Sequence, residues 1–360
     1  MRRAGSHGIE RFAAELPAVE RFIWLGEGDT PLVPLPAVAA DLGLRGLWAK
    51  LESVNPTGSY KDRIAAMSVS LALGQGKAGW IATSSGNAGL AMAAYGARAG
   101  LPGFLCLVAS APAGKRRPLV PFGVRTLRVN GVGAGASHVA EGALFAAVRE
   151  AAARHGLYLG ITAHQFNPDG MRGVDTIGFE LAEQLPGATH VYVPTGGGGL
   201  LAAIGRGLAA RGMAARLVAC QPSGCAPIVR HLAGELPEPV MAACRSEISA
   251  LQLPRPPDGR LATAAVRVSG GWGTHVPDES VLTAARTLAA AEGVFVEPAA
   301  AAALAAVTDD LRTGRLDRDA EVVLMLTGAG WKDLGRFEPS AEDPVDVVDV
   351  PAAVEAWAAA

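Results

Sequence analysis

Short apolar runs rich in β-branched residues alternate along the chain with longer stretches rich in Ala and Leu. The short runs have the length of buried strands, and the longer ones show the apolar spacing of helices packed on a sheet. Alternation of this kind is typical of βαβ units, in which a helix connects two parallel strands. The pattern therefore predicts an α/β protein built on mostly parallel sheets.

Each predicted strand ends in a loop rich in Gly, Ser, Asn or Pro. The predicted strands are Leu47–Leu51, Trp80–Thr83, Phe104–Val108, Arg125–Val129, Tyr158–Thr162, His190–Pro194, Arg216–Gln221, Ala265–Ser269 and Glu321–Thr327. The predicted helices include Ile64–Leu73, Ala88–Ala99, His138–His155, Leu200–Ala210, Ser280–Glu292 and Pro298–Leu311. Residues 223–261 have the weakest periodicity, which predicts a long irregular segment of the kind that often forms a functional lid.

Composition narrows the classes of protein that fit. A length of 360 residues allows two domains, and a formal net charge of −2 supplies no basic field for a nucleic-acid partner. Polar residues or prolines interrupt the longest uncharged stretches, so no membrane span is expected. The N-terminus has no apolar signal region, and the cysteines and histidines show no metal-ligand spacing. We predict a cytosolic protein without a metal site.

One lysine, Lys61, stands at a position that favours a nucleophilic role for its amine. The segment Asn55-Pro-Thr-Gly-Ser-Tyr-Lys61-Asp-Arg63 is a turn that delivers Lys61 to the start of a predicted helix. The positive end of the helix dipole disfavours the ammonium form there, which would free the amine to attack a carbonyl carbon. The alternative is an ordinary surface lysine.

Four consecutive glycines, Gly196, Gly197, Gly198 and Gly199, lie between a predicted strand and a predicted helix. Glycines at a helix N-terminus let backbone N–H groups approach an anion closely. The segment therefore predicts a phosphate cradle, and a flexible turn is the alternative.

Two further strand-to-helix loops carry polar side chains. The first contains Ser84, Ser85, Gly86 and Asn87, which could hold a carboxylate or simply cap the next helix. The second places the hydroxyl of Thr327 at the carboxyl end of a strand, where ligands of open parallel sheets gather.

Taken in order, these segments resemble the fold type II pyridoxal-phosphate enzymes, most closely the threonine synthase and threonine dehydratase branch. The segments Gly26-Glu-Gly-Asp-Thr-Pro-Leu32 and Gly293-Val-Phe-Val-Glu-Pro-Ala299 resemble two more of the family's motifs. The resemblance implies a tryptophan synthase β-like fold with two domains, each an open, mostly parallel sheet flanked by helices. Residues 1–49 and 153–335 would form the large domain, 50–152 the small domain and 336–360 a C-terminal tail.

The resemblance also implies a cofactor and roles for the site residues. Lys61 would hold pyridoxal 5′-phosphate as a Schiff base and later remove the α-proton of a small amino-acid substrate. Asn87 would contact the ring oxygen, Gly196–Gly199 the phosphate and Thr327 the pyridine nitrogen, while Ser84, Ser85, Gly86 and Asn87 would bind the substrate carboxylate. A hydroxyl beside the nitrogen makes the ring a mild electron sink, which favours elimination or replacement. A homodimer is implied as well.

The substrate is harder to predict because the sequence mixes the two branches. Alignment on Asn167-Pro168 puts Gly170 and Asp175 where threonine synthases commonly carry the cations for a substrate phosphate. Arg63 and Arg172 are candidates to replace those cations. We therefore predict a lyase that eliminates or replaces a β or γ substituent of a small L-amino acid, of the threonine synthase type or a specialised relative. Threonine or serine dehydratase is the alternative.

Two other hypotheses for the function remain. Gly131-Val-Gly133-Ala-Gly-Ala136 matches a dinucleotide fingerprint, which would suit a nicotinamide-dependent oxidoreductase, but the acidic ribose partner about 20 residues later is missing. A protein that binds pyridoxal phosphate without turnover is the other reading, and the presence of Lys61 argues against it. Glu297, which precedes a predicted helix, is either a further site residue or a charge at a helix N-terminus.

Overall fold

The computed structural model describes residues 7–84, 86–130, 138–337 and 350–358. The strands of this part of the chain are β1 (Leu32–Pro34), β2 (Gly46–Leu51), β3 (Trp80–Ser84), β4 (Gly103–Val108), β5 (Arg125–Val129), β6 (Tyr158–Leu159), β7 (His190–Pro194), β8 (Arg216–Pro222), β9 (Trp272–Val276) and β10 (Glu321–Leu326). Its α-helices are α1 (Pro36–Leu42), α2 (Lys61–Gly74), α3 (Asn87–Ala99), α4 (Ala113–Arg116), α5 (His138–Arg154), α6 (Pro168–Met171), α7 (Asp175–Gln184), α8 (Gly199–Ala210), α9 (Pro227–Leu232), α10 (Gly259–Val268), α11 (Asp278–Glu292), α12 (Pro298–Arg312) and α13 (Val350–Ala358).

The strands form two sheets. The larger has the order β1-β2-β10-β7-β8-β9 and is parallel except for β1, which pairs antiparallel with β2. The smaller has the order β5-β4-β3-β6 and is parallel throughout. This arrangement confirms the predicted α/β class with two sheet-containing domains. The predicted domain boundaries stay predictions.

The central strands β10 and β7 are apolar after their first residues, as expected for strands that helices cover on both faces. On β10, Leu324 packs with the alanine-rich helix α12, while its neighbours Val323 and Met325 point into the core formed with α8. This alternation follows from the two-residue period of a strand. Alanines on α12 are buried from Ala299 to Ala306, and their small side chains allow close packing on the sheet.

One predicted strand is wrong. Residues Ala265–Ser269 lie at the end of helix α10, and the strand that completes the sheet is β9, just after them. The β-branched run at the end of this segment resembles a strand, but Ala262 and Val266 are four residues apart and both enter the core, which is helical spacing. The predicted strand Tyr158–Thr162 is also shorter than expected, since β6 ends at Leu159.

The segment 223–261 begins with two short helical turns, Ser223–Cys225 and Pro227–Leu232, and residues 233–258 then form neither helix nor strand. The prediction of a long irregular segment therefore holds for its middle part, while its last residues belong to α10. Within the described ranges, no helix combines the length and apolar character that crossing a membrane needs.

Candidate active site

A cavity of about 420 Å³ opens at the carboxyl ends of strands from both sheets. Parallel strands bring the loops at their carboxyl ends to one edge, so loops far apart in sequence meet there. The predicted site residues that line the cavity are Lys61, Ser84, Asn87, Gly196, Gly197, Gly198, Gly199 and Thr327. Gly86 is not among the lining residues, and Ser85 and the Gly131–Ala136 fingerprint lie outside the described residues.

Backbone pairing brings Lys61 beside Thr327. The N–H of Tyr60 donates to the carbonyl of Thr327 at 3.2 Å, and the N–H of Ala329 donates to the carbonyl of Gly58 at 3.0 Å. Lys61 is the first residue of α2, and its Nζ donates to the hydroxyl of Thr162 at 3.0 Å. The lysine amine is thus held at the start of a helix, inside the cavity.

The chain has five lysines, and among them only Lys61 lines this cavity. Lys50 and Lys115 are buried and paired with carboxylates, and Lys332 is buried away from the cavity lining. Lys77 is half-buried elsewhere on the surface. The structure therefore leaves one lysine amine positioned for chemistry in the cavity.

The turn that delivers Lys61 is fixed by Asp62. Its carboxylate accepts hydrogen bonds from the backbone N–H of Thr57 at 2.8 Å and from the Thr57 hydroxyl at 2.5 Å. Asp62 is fully buried, and burial raises its pKa to about 6. Next to it, the guanidinium of Arg63 is fully buried between Glu52 at 2.7 Å and Glu180 at 2.6 Å. Arg63 thus anchors the start of α2 and does not serve as a substrate cation.

The glycine loop can exist only without side chains at several positions. Gly198 has φ +89°, and a Cβ there would lie 2.7 Å from the carbonyl oxygen of Asp258. A Cβ at Gly196 would lie 2.6 Å from the carbonyl oxygen of Ala250. Helix α8 begins at Gly199. The backbone N–H groups of its first turn have no acceptor within the helix, so they are free to bind an anion at the glycine loop. This is the geometry of an anion cradle at a helix N-terminus.

Asp258 holds the glycine loop in place. Its backbone N–H donates to the carbonyl of Gly197 at 2.9 Å. Its carboxylate accepts from the backbone N–H groups of His164 at 2.8 Å and Gln165 at 3.2 Å. Asp258 is only 2% exposed, and this burial raises the pKa of its carboxyl group. The irregular segment before α10 therefore supports the cradle.

The polar loop after β3 is organised around the Ser84 hydroxyl, which accepts from the backbone N–H groups of Gly86 and Gly89 at 2.8 Å each. Ser84 thus caps the first turn of α3 while still lining the cavity. Gly86 has φ +143°, and a Cβ there would lie 2.5 Å from the Cβ of Lys115. A side chain at Gly86 would therefore displace Lys115.

Glu297 and Lys115 form a buried pair that contacts this loop. The amide Nδ2 of Asn87 donates to Glu297 Oε1 at 2.7 Å, and Lys115 Nζ lies 2.7 Å from Glu297 Oε2. Lys115 Nζ also donates to the hydroxyl of Ser249 at 2.9 Å. Asn87 belongs to α3 and Lys115 to α4, both beside the small sheet, whereas Glu297 immediately precedes α12 and Ser249 lies in the irregular segment. The pair therefore connects the two halves of the cleft.

The candidate cations for a substrate phosphate lie elsewhere. Arg172 pairs with Asp175 at 2.6 Å and is not part of the cavity wall. A Cβ at Gly170 would lie 2.2 Å from the Ser68 hydroxyl, which leaves no room for a longer side chain. Among the described lining residues, the cationic side chains are Lys61 and Arg336. Arg336 donates to the carboxylate and carbonyl of Glu247, at 2.8 Å each.

Sequence reasoning missed several residues of the cavity. Thr162 follows a strand, so its hydroxyl carried the same signal as Thr327 and could have been found. Ser249 and Arg336 follow no strand-to-helix motif, while Lys115 and Asp258 act through residues that line the cavity. Their proximity arises from packing between segments that are far apart in sequence; Lys115 and Ser249, for example, are 134 residues apart.

The donor set fits a flat, phosphorylated aldehyde. A lysine amine can hold the aldehyde carbon, the glycine cradle can hold the phosphate, and the hydroxyl of Thr327 can meet a ring nitrogen. The side chain of Asn87 has a buried Oδ1 without a hydrogen-bond partner among the described residues. Two mostly parallel sheets with this site at their shared cleft define a fold type II pyridoxal-phosphate enzyme.

Comparison with known proteins supports the assignment to the pyridoxal-phosphate enzymes. A family model described as pyridoxal-phosphate dependent enzyme matches residues 23–328, and the chain belongs to that family. It is 32% identical over 97% of its length to a threonine synthase of Methanosarcina acetivorans, covering 84% of that protein. It is 32% identical over 90% of its length to a threonine synthase of Halalkalibacterium halodurans, covering 89% of it. The protein is a pyridoxal-phosphate-dependent lyase of the threonine synthase-like group, as the resemblance predicted.

A solved structure of O-ureido-L-serine synthase has the same fold, with a TM-score of 0.70 at 23% identity, covering 92% of this chain and 96% of that one. The family match assigns the chain to the pyridoxal-phosphate enzymes and not to the nicotinamide-dependent oxidoreductases.

Proposed function

We propose that the enzyme eliminates or replaces a β or γ substituent of a small L-amino acid, with Lys61 as the residue that both attaches the cofactor and moves the α-proton. The observation that carries the proposal is the position of Lys61 Nζ. It is the one lysine amine of the chain in the cavity, and it shares that cavity with the glycine cradle and Thr327.

Pyridoxal phosphate, when bound, supplies an electron sink for the electrons left at the substrate α-carbon. The residues that would hold it are Lys61 for the aldehyde carbon, Gly196–Gly199 for the phosphate and Thr327 for the pyridine nitrogen. A threonine hydroxyl carries no charge, so it does not favour a protonated nitrogen as a carboxylate would. This supports chemistry at the side chain over transamination.

Lys61 Nζ acts as the proton carrier. Its hydrogen bond to the Thr162 hydroxyl at 3.0 Å fixes its direction, and the neighbouring ring of Tyr60, 4.5 Å from Nζ, covers one side of it. A positioned amine can accept the proton of the substrate α-carbon and return a proton to the product. Tyr60 also lines the cavity and helps to exclude water from the amine.

The substrate carboxylate would bind at the Ser84–Asn87 loop. Backbone N–H groups at the start of α3 attract an anion, and Ser84 and Asn87 both line the cavity. Glu297 accepts from the Asn87 amide, so it orients Asn87 and does not itself need to touch substrate.

The side chain of the substrate would lie toward Arg336 and Ser249. The guanidinium of Arg336 already donates a hydrogen bond to the Glu247 carboxylate. A doubly charged substrate phosphate would therefore have to share this guanidinium with Glu247. The similarity to threonine synthases nevertheless supports threonine synthase-type replacement, or that of a specialised relative, as the first candidate, and dehydration of threonine or serine is the second. The placement of Arg63 and Arg172 outside the cavity favours the second candidate for unphosphorylated substrates.

The visible absorption spectrum of the purified enzyme with pyridoxal phosphate tests this proposal. We expect an absorption band of the covalently bound cofactor that Lys61→Ala abolishes and Lys77→Ala keeps. Titration with L-threonine, L-serine and O-phosphohomoserine should then shift the band with each amino acid that binds at the cofactor, and turnover identifies the substrate among them.

An unchanged band in Lys61→Ala would refute the role of the lysine. A normal band with no turnover of any of the three amino acids would favour a cofactor-binding protein without this activity. We further propose a cytosolic homodimer, for which sedimentation of the holoenzyme is the direct measurement of assembly.

A further inference from the structure

Two cysteines outside the catalytic machinery lie beside each other. Arg245 donates its backbone N–H to the carbonyl of Gly224 at 2.8 Å, and Cys225 and Cys244 each stand one residue from this bond. The two thiols are close enough to change each other's acidity. A backbone hydrogen bond one residue away from each cysteine brings the two segments close together, as a disulfide with its Cα separation of about 4.4–6.8 Å requires.

The two thiols differ in access and acidity. Cys225 is fully buried, and the neighbouring thiol of Cys244 together with burial raises the pKa of its thiol. Cys244 is partly exposed, and the neighbouring thiol of Cys225 lowers its pKa to about 7. Cys244 is therefore the accessible nucleophile of the pair. By contrast, Cys106 and Cys220 are buried, and burial raises the pKa of both.

We propose that Cys225 and Cys244 form a reversible disulfide on exposure to a small-molecule disulfide such as oxidised glutathione. The Cys244 thiolate attacks one sulfur of glutathione disulfide, releases one glutathione thiolate and forms a mixed disulfide. That thiolate takes the proton of Cys225, whose sulfur attacks the sulfur of Cys244 and releases the second glutathione. Two protein thiols are oxidised, and one glutathione disulfide is reduced to two thiols.

The disulfide would act on the cavity wall. Residues 249–253 line the cavity, and Ser249 accepts from Lys115. Cys244 lies five residues before Ser249, so a covalent bond to the buried Cys225 would fix the start of this wall. We expect amide hydrogen exchange across residues 244–253 to slow when the bond forms.

Mass spectrometry of the holoenzyme after incubation with oxidised glutathione tests the proposal. The wild type should lose the mass of two hydrogens, with Cys225 and Cys244 found in one cross-linked peptide, and dithiothreitol should restore it. Cys225→Ser should stop at the mixed disulfide and gain one glutathione on Cys244. Cys244→Ser should stay unmodified at Cys225 because that thiol is buried.

Cys106→Ser is the matched control and should form the bond as the wild type does. The proposal is overturned if the wild type keeps all four thiols, if the bond joins another pair, or if Cys244→Ser gains glutathione at Cys225 as readily as Cys225→Ser gains it at Cys244. Unchanged amide exchange in residues 244–253 of the oxidised protein would overturn the effect on the wall. Neither result depends on the substrate or the reaction.

Discussion

The substitution Gly198→Ala tests the physical basis of the anion cradle. Gly198 has φ +89°, and an added Cβ would lie 2.7 Å from the carbonyl oxygen of Asp258 and 2.9 Å from its carbonyl carbon. The Asp258 carboxylate is tied to the backbone of His164 and Gln165, so this neighbour cannot retreat freely. We expect the substitution to destabilise the folded protein.

The magnitude has two parts. A left-handed conformation costs a residue with a Cβ about 1–2 kcal/mol, and overpacking against fixed backbone adds about 1–3 kcal/mol. The free energy of unfolding should therefore fall by about 2–5 kcal/mol. Since native proteins are stable by about 5–15 kcal/mol, this is a large share of the total.

The neighbouring Gly197 is the matched control. Its φ lies outside the left-handed region, and a Cβ there would lie no closer than 3.6 Å to Pro257. Gly197→Ala should leave stability unchanged or raise it by up to about 1 kcal/mol, because alanine restricts the unfolded chain. Urea unfolding of the cofactor-free protein, followed by tryptophan fluorescence, measures both. A loss below about 1 kcal/mol in Gly198→Ala, or an equal loss in both variants, would refute the reasoning.

Two more predictions concern buried charges. Lys115→Met should lower the free energy of unfolding by about 3–5 kcal/mol, because it leaves the Glu297 carboxylate buried without its cation. The double variant Lys115→Met/Glu297→Gln should recover most of this loss in a double-mutant cycle measured by urea unfolding. Additive losses in the two single variants would contradict the coupling. Burial raises the pKa of the Glu27 carboxyl group from 4.5 to about 7, so the folded state binds the carboxyl proton more tightly than the unfolded chain does. The resulting stabilisation is fully present below pH 4.5 and is lost as pH rises through 7. At about 1.4 kcal/mol per pH unit, wild type should lose about 3 kcal/mol relative to Glu27→Gln over that range; parallel stability curves from pH 4.5 to 8 would rule this out.

The sequence by itself determined the α/β class and the motifs of the candidate cofactor site. Lys61, Gly196–Gly199 and Thr327 each stand at a strand-to-helix junction, and such junctions are visible in the local pattern of apolar runs and glycines. The rule that carboxyl ends of parallel strands share one edge then brought these residues together. The local pattern gave a wrong prediction at Ala265–Ser269. This segment has a β-branched end, but it lies at the end of helix α10, which packs against α8 and α9.

Only the tertiary structure decided which charged residues belong to the cavity. Arg63 and Arg172 lie close in sequence to site motifs, yet Arg63 is buried with Glu52 and Glu180, and Arg172 pairs with Asp175. Lys115 reaches Glu297 across 182 residues of chain (297 − 115). A buried charge is stable only where an opposite charge reaches it, and no local pattern records which distant segment supplies that partner.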